Sequence, residues 1–253
     1  MTREQLSMKR KRLWITLGAV LAVLLVICIG FAVYVGDYYH ADEASVQAMV
    51  PADSLSVSRI GGDTIVFTPS EPQVGLIFYP GGKVEYTAYA PLMRTCAENG
   101  ILCVLIKMPG NLAVLDVNAA DGIMEQYPEI NSWYIGGHSL GGAMAATYAA
   151  SHSSELDGLI LLASYSTSDL TDSGLEVLSI YGTEDKVLDL EKYEKCRNNL
   201  PLEVTEFVVD GGCHAGFGCY GLQEGDGTPT ITNEEQIALT AEEITAMVQK
   251  NLW

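Results

Sequence analysis

Hydrophobic positions are laid out along this chain in two ways. From Leu13 to Gly36 runs a block of 24 residues in which Thr16 is the one clearly polar side chain. As a helix rising about 1.5 Å per residue, such a block is long enough to cross the ~30 Å hydrocarbon core of a bilayer. Beyond residue 53 the apolar residues come instead in short runs, bounded by turn residues and separated by stretches with helical spacing.

Those runs predict a hairpin of strands 54–59 and 64–68 around Gly61-Gly62-Asp63, then strands at 74–79, 101–106, 132–135, 158–162, 176–181 and 202–209. The stretches between them predict helices at 86–98, near 118–126, from Ser139 to about 151, at 188–200 and at 234–252. Regular alternation of strand and helix predicts an α/β fold, a mostly parallel sheet with helices on both faces. The expected organisation is a tail (1–12), a transmembrane anchor (13–36), a polar stalk (37–53) and one α/β domain (54–253). In the stalk, Ala44, Val46, Met49 and Val50 have helical spacing up to Pro51, and His40 is expected at a membrane interface.

The stretch Gly137-His138-Ser139-Leu140-Gly141-Gly142 joins a predicted strand to an Ala-rich predicted helix. Gly-x-Ser-x-Gly at that junction is the pattern of a tight turn that exposes a nucleophilic serine. The pattern alone is short enough to arise by chance, so its surroundings decide. A serine hydroxyl needs a base, and the base needs a group to orient it. Of four histidines, His138 lies inside the turn and is expected to point away from the hydroxyl. His152 ends the same helix, and His40 lies beside the anchor. His214, in the glycine-rich loop 211–216 after a strand, is the candidate base. Asp185, just past the strand 176–181, is the candidate acid and gives the chain order Ser, Asp, His. Glu184, Asp169, Asp172 and Asp210 stay open as alternatives. For the oxyanion of a tetrahedral intermediate, the candidate donors are the N–H groups of Leu140 and Gly82, the latter in Pro80-Gly81-Gly82 after the 74–79 strand. Gly82-Lys83-Val84 does not make a phosphate loop, since Val84 stands where a serine or threonine would hold magnesium.

Charge separates the two ends. The chain carries a formal −18, yet Arg3, Lys9, Arg10, Lys11 and Arg12 against Glu4 make the first twelve residues +4, leaving −22 for the rest. Basic residues before the apolar block and Asp37, Asp42 and Glu43 after it predict a single-pass protein with a cytoplasmic N-terminus and an extracytoplasmic domain. A cleaved signal peptide is the rival, but the apolar block exceeds the usual h-region and its small-x-small site, Gly30-Phe31-Ala32, lies inside it. Cys28 follows the bulky Ile27, which argues against a lipid-modified cysteine. The acidic domain makes nucleic acid an unsuitable partner. Outside the cytoplasm Cys213 and Cys219, which flank His214, either form a disulfide or stay free thiols; Cys96, Cys103 and Cys196 complete the set. A zinc site of Cys213, His214 and Cys219 lacks a fourth ligand.

Together with these residues, Tyr79-Pro80-Gly81-Gly82-Lys83-Val84, Lys107-Met108-Pro109, Gly136 to Gly142, Leu161-Leu162-Ala163-Ser164-Tyr165 and Gly225-Asp226-Gly227-Thr228 resemble the fold-5 family of small bacterial α/β-hydrolases across about residues 55–252. The resemblance implies a serine hydrolase of the carboxylic-ester type, with Ser139, Asp185 and His214 at the triad positions. The mechanism expected from these residues works through an acyl-enzyme and uses no metal or organic cofactor. The twelve or so residues from Ser164 to Leu175 leave no room for a large lid, so an open site is expected, with residues 217–232 as the nearest flap and Lys83, Tyr86 and Tyr220 as possible substrate contacts. The expected partners are the membrane, through the N-terminal helix, and a small-molecule or lipid or envelope ester. Two other readings are an acyltransferase with the same triad, told apart by product analysis with candidate acceptors, and a non-catalytic binding or sensor module, excluded by ester turnover that His214→Ala abolishes.

Overall fold

The computed structural model describes residues 3–250. It comprises two compact units, one up to Asp37 and one from Tyr38 onward. The first is helix α1 (Arg3–Gly36), so the basic tail is helical along with the apolar block. Its segment Trp14–Gly36, 23 residues with mean hydropathy 2.8, is long and apolar enough to cross a membrane. The end of the closing helix expected at 251–252 lies outside the described residues.

The second unit is built on eight strands: β1 (Leu55–Ile60), β2 (Thr64–Pro69), β3 (Val74–Tyr79), β4 (Ile101–Leu105), β5 (Ser132–His138), β6 (Gly158–Leu162), β7 (Glu176–Gly182) and β8 (Val204–Val209). They form one sheet in the order β1-β2-β4-β3-β5-β6-β7-β8. β2 is antiparallel to both β1 and β4, and the other pairs are parallel. All six residues of β3 and all five of β4 are buried because both faces of the sheet are covered, which is why these strands read as unbroken apolar runs. Alternate residues serve opposite cores. Leu76, Phe78 and Cys103 join α3 (Ala90–Glu98) and α6 (Asn233–Gln249) on one face. Ile77, Tyr79 and Val104 join α4 (Leu140–Ser151) on the other.

The chain moves from β3 outward to β4 and then returns across β3 to β5, so the loops leaving β3 and β5 part at their carboxyl ends. A crevice at such a reversal is where open α/β sheets place their ligands.

Three stretches depart from the sequence expectation. Residues 38–53, expected as a stalk, pack on the α/β unit: Tyr39 exchanges backbone hydrogen bonds with Lys83 and Glu85 at 2.8 Å each, and the short helix α2 (Glu43–Ala48) is capped by Asp42, whose own N–H reaches the Cys219 carbonyl at 3.0 Å. The helix expected near 118–126 is a series of turns ending in one 3-10 turn at Met124–Gln126. Gly122, at φ 73°, breaks it, and the buried Tyr79 hydroxyl takes over the backbone by donating to the Val117 carbonyl and accepting the Ala120 N–H. The helix expected at 188–200 is shorter, α5 (Leu190–Cys196) followed by a 3-10 turn at Arg197–Asn199.

Candidate active site

Ser139 links β5 to α4 with φ 51° and ψ −121°, a backbone shape that costs a residue with a Cβ of order 1–3 kcal/mol. The turn is held from several sides. The Ser139 N–H continues the sheet by donating to the Leu162 carbonyl at 2.9 Å, and its carbonyl accepts from the Ala143 N–H at 3.1 Å and the Ser164 hydroxyl at 2.7 Å. Backbone crowding explains the flanking glycines: a Cβ at Gly137 would lie 2.6 Å from the Tyr79 carbonyl oxygen, and one at Gly141 would overlap the carbonyl oxygens of both Tyr79 and Pro80. Gly141→Ala is therefore expected to cost about 3 kcal/mol or more, because the obstacles are backbone atoms that cannot swing away. Urea unfolding of the variant measures this, and a loss under 1 kcal/mol would show that the turn yields.

Asp185 and His214 meet from different strands. Thr183 and Glu184, leaving β7, donate backbone N–H groups to Val209 (3.0 Å) at the end of β8 and to Gly212 (2.8 Å) just past it, which laces the two loops together. The Asp185 Oδ1 accepts the N–H groups of Val187 and Leu188 at 2.8 Å each, and Oδ2 lies 2.8 Å from His214 Nδ1. Both side chains are buried. A carboxylate only accepts, so Nδ1 is the donor to Asp185 and Nε2 is the ring nitrogen turned elsewhere. That Nε2 is buried without a partner among the described residues. Ser139 and His214 line the same cavity, about 480 Å³, together with Leu140, Ala143, Ala163 and Leu188. A larger concavity, about 760 Å³, sits at the opposite end of the sheet beside the starts of β7 and β8, and no Ser139-like turn or buried histidine faces it.

Gly82 packs directly on Leu140, where a Cβ would lie 2.9 Å from Leu140 Cδ2. The two backbone N–H groups expected to serve as donors thus belong to neighbouring residues. Lys83, Tyr86 and Tyr220 do not line the cavity: the Tyr86 hydroxyl accepts from Arg59 at 2.6 Å, and Tyr220 packs against Tyr39 and Tyr89.

Support for the base loop comes from α6, where Gln236 accepts the Cys213 N–H at 3.0 Å and donates to the Cys213 carbonyl at 2.9 Å. Asn233 donates to the carbonyls of Gly216 and Gly218 and accepts the Cys219 thiol. Cys213 and Cys219 are free thiols. Burial, with the Asp226 carboxylate beside it, pushes the Cys213 thiol up to about 11, and burial pushes Cys219 up to about 12, so both stay protonated and unreactive near neutrality.

His138, expected to point away from the serine hydroxyl, packs its ring 4.5 Å from that of His214, centroid to centroid. Tyr89 hydrogen-bonds its Nδ1 at 2.7 Å and accepts the Gly81 N–H at 3.1 Å. Sequence spacing gave no sign of this contact, because Tyr89 enters from the 3-10 turn at Tyr86–Tyr89 that leads into α3. Burial, then the neighbouring His214, pulls His138 well below the ordinary imidazole range. A histidine depressed on folding stabilises the protein above its unfolded value, near 6.5, and that stabilisation drains away as pH falls below it, by about 1.4 kcal/mol per unit. Urea unfolding at several pH values is expected to show a shallower acid loss for His138→Gln than for the parent; parallel slopes would refute this.

A family model for the alpha/beta hydrolase family matches residues 75–238, more than half of the chain. Among curated proteins, no sequence matches. Solved structures share the fold at low identity. Est1E from Butyrivibrio proteoclasticus is 13% identical with a TM-score of 0.56, covering 79% of this chain and 99% of its own. The esterase domain of a Rhodothermus marinus protein is 13% identical at 0.57, covering 78% and 97%. Carboxyl esterase 2 from the fungus Tuber melanosporum is 10% identical at 0.58, covering 83% and 91%. With the sheet order, the strained serine turn and the family match in agreement, the chain belongs to the alpha/beta hydrolase family.

Proposed function

We propose that this protein is a membrane-anchored serine hydrolase of carboxylic esters whose α/β domain, expected at 54–253, works outside the cytoplasm. The observation that carries the reading is the buried His214–Asp185 pair, whose unpartnered Nε2 shares a cavity with Ser139 at its strained turn. In this mechanism Nε2 takes the Ser139 proton as Oγ attacks the ester carbonyl, and Asp185 holds the ring and its growing positive charge. The N–H groups of Leu140 and Gly82 receive the oxyanion. Collapse expels the alcohol, which takes the proton from His214, and water repeats the sequence to release the acid. The apolar wall of Leu140, Ala143, Ala163, Val187 and Leu188 suits an aliphatic acyl group. For topology, the support is the charge step across α1: basic residues before Leu13, acidic ones after Gly36.

A membrane-impermeant fluorophosphonate applied to intact cells tests both halves. The parent is expected to label, and Ser139→Ala to stay blank. Labelling that appears only after lysis would overturn the topology, and a parent that never labels would overturn the chemistry.

A further inference from the structure

The irregular segment at 221–232, the larger part of the stretch 217–232 expected as a flap, reaches the loops that carry Asp185 and His214, and Asp226 touches both. Its Oδ1 accepts the N–H of Lys186 at 3.3 Å and of Gly227 at 2.8 Å, and its Oδ2 accepts the N–H of Ala215 at 2.9 Å. Lys186 directly follows Asp185, and Ala215 directly follows His214. Gly227 presses on the Glu184 carbonyl so closely that a Cβ there would overlap it, and the Thr230 N–H donates to Gly211 at 2.9 Å.

The backbone bonds that lace the two loops, Thr183 to Val209 and Glu184 to Gly212, lie before the two side chains in the chain. Asp226 joins the residues that come after them. We propose that Asp226 is a positioning residue, a clamp that fixes the separation of the Asp185 and His214 loops. The proposal rests on the serine-hydrolase reading for its kinetic consequence, though not for its structural one. Burial pushes the Asp226 carboxyl up, but the amide donors of Ala215, Gly227, Lys186 and His214 outweigh burial and hold it below the usual carboxylate range. It therefore remains an acceptor across the neutral range. Asp226 does not line the cavity with Ser139, so its effect passes through the loops.

Asp226→Ala removes tether and charge, whereas Asp226→Asn keeps one acceptor oxygen and removes the charge. With 4-nitrophenyl acetate, and with rates divided by the fluorophosphonate-reactive fraction, Asp226→Ala is expected to lower kcat about 10- to 100-fold, with KM changed less than about threefold. Asp226→Asn is expected to recover part of that loss. Hydrogen exchange of the Ala215 and Lys186 amides gives a readout that needs no activity. Both N–H groups donate to Asp226, so both are expected to exchange about tenfold faster or more in Asp226→Ala than in the parent, and at least one of them in Asp226→Asn. If Asp226→Ala does not fold, Asp226→Asn carries the test alone. Unchanged kcat per reactive site, or unchanged exchange of these two amides in the folded variants, would overturn the clamp. A parent that never reacts with the probe would remove the hydrolase reading, while the amide exchange would still decide whether Asp226 ties the two loops together.

Discussion

Ser139→Ala is expected to lower kcat for a simple ester about 10⁶-fold, His214→Ala by a similar factor, and the double variant no further. The reason lies in the coupling of the two groups. Without the imidazole the hydroxyl at the turn keeps its proton and is a poor nucleophile, and without the hydroxyl the imidazole can do little beyond assisting water. Whatever rate survives comes from substrate binding and the Leu140 and Gly82 N–H groups, which neither substitution touches. Both variants should fold, since the Ser139 backbone bonds to Leu162 and Ala143 do not use its hydroxyl. Burst and steady-state kinetics on matched, folded protein provide the measurement. Losses that multiply in the double variant would mean that the two residues do not act as one unit.

Asp185→Asn is expected to cost about 10⁴-fold in kcat with little change in fold. Asparagine keeps an oxygen for the Val187 and Leu188 N–H groups, so the loop has no cause to move. What changes is the group facing His214 Nδ1, 2.8 Å away. An amide N–H there favours a bare Nδ1, which shifts the proton to Nε2 and leaves no lone pair for the Ser139 hydroxyl. Thermal unfolding within a few degrees of the parent alongside the kinetic loss would support this account. A variant retaining a tenth or more of the parental kcat would sink it, and one of Glu184, Asp169, Asp172 or Asp210 would then have to serve as the acid.

Much of the fold was legible because a strand buried on both faces has little choice but to be apolar. Val74–Tyr79 and Gly158–Leu162 stand out between glycines, prolines and polar turns for that reason. The serine turn was legible because its glycines answer to local crowding. The structure brings His214 to Asp185 and into one cavity with Ser139, as the order of strands implied. What stayed hidden depends on partners distant in sequence. Residues 38–53 read as a stalk because nothing in them announces Lys83, Glu85 or Cys219. The stretch 118–126 read as a helix because its apolar spacing does not reveal that the Tyr79 hydroxyl will claim its backbone groups. His138 was read from the direction of the turn alone, whereas Tyr89 and His214 determine its environment. Asp226 lay within a recognised motif, but one carboxylate among many acids carries no label for the amides it will accept.

The central place of β5 and the outer place of β8 have a consequence for the order in which this molecule comes to life. The Ser139 turn is held by β5 and β6, near the middle of the domain, whereas His214, Asp226 and the supporting α6 come from its last fifth. Closing so long a stretch of chain carries an entropic cost, and contacts of high sequence separation form late. On the proposed mechanism, a nascent chain would therefore form the Ser139 turn before His214 reaches it, and ester turnover would begin only once α6 has docked.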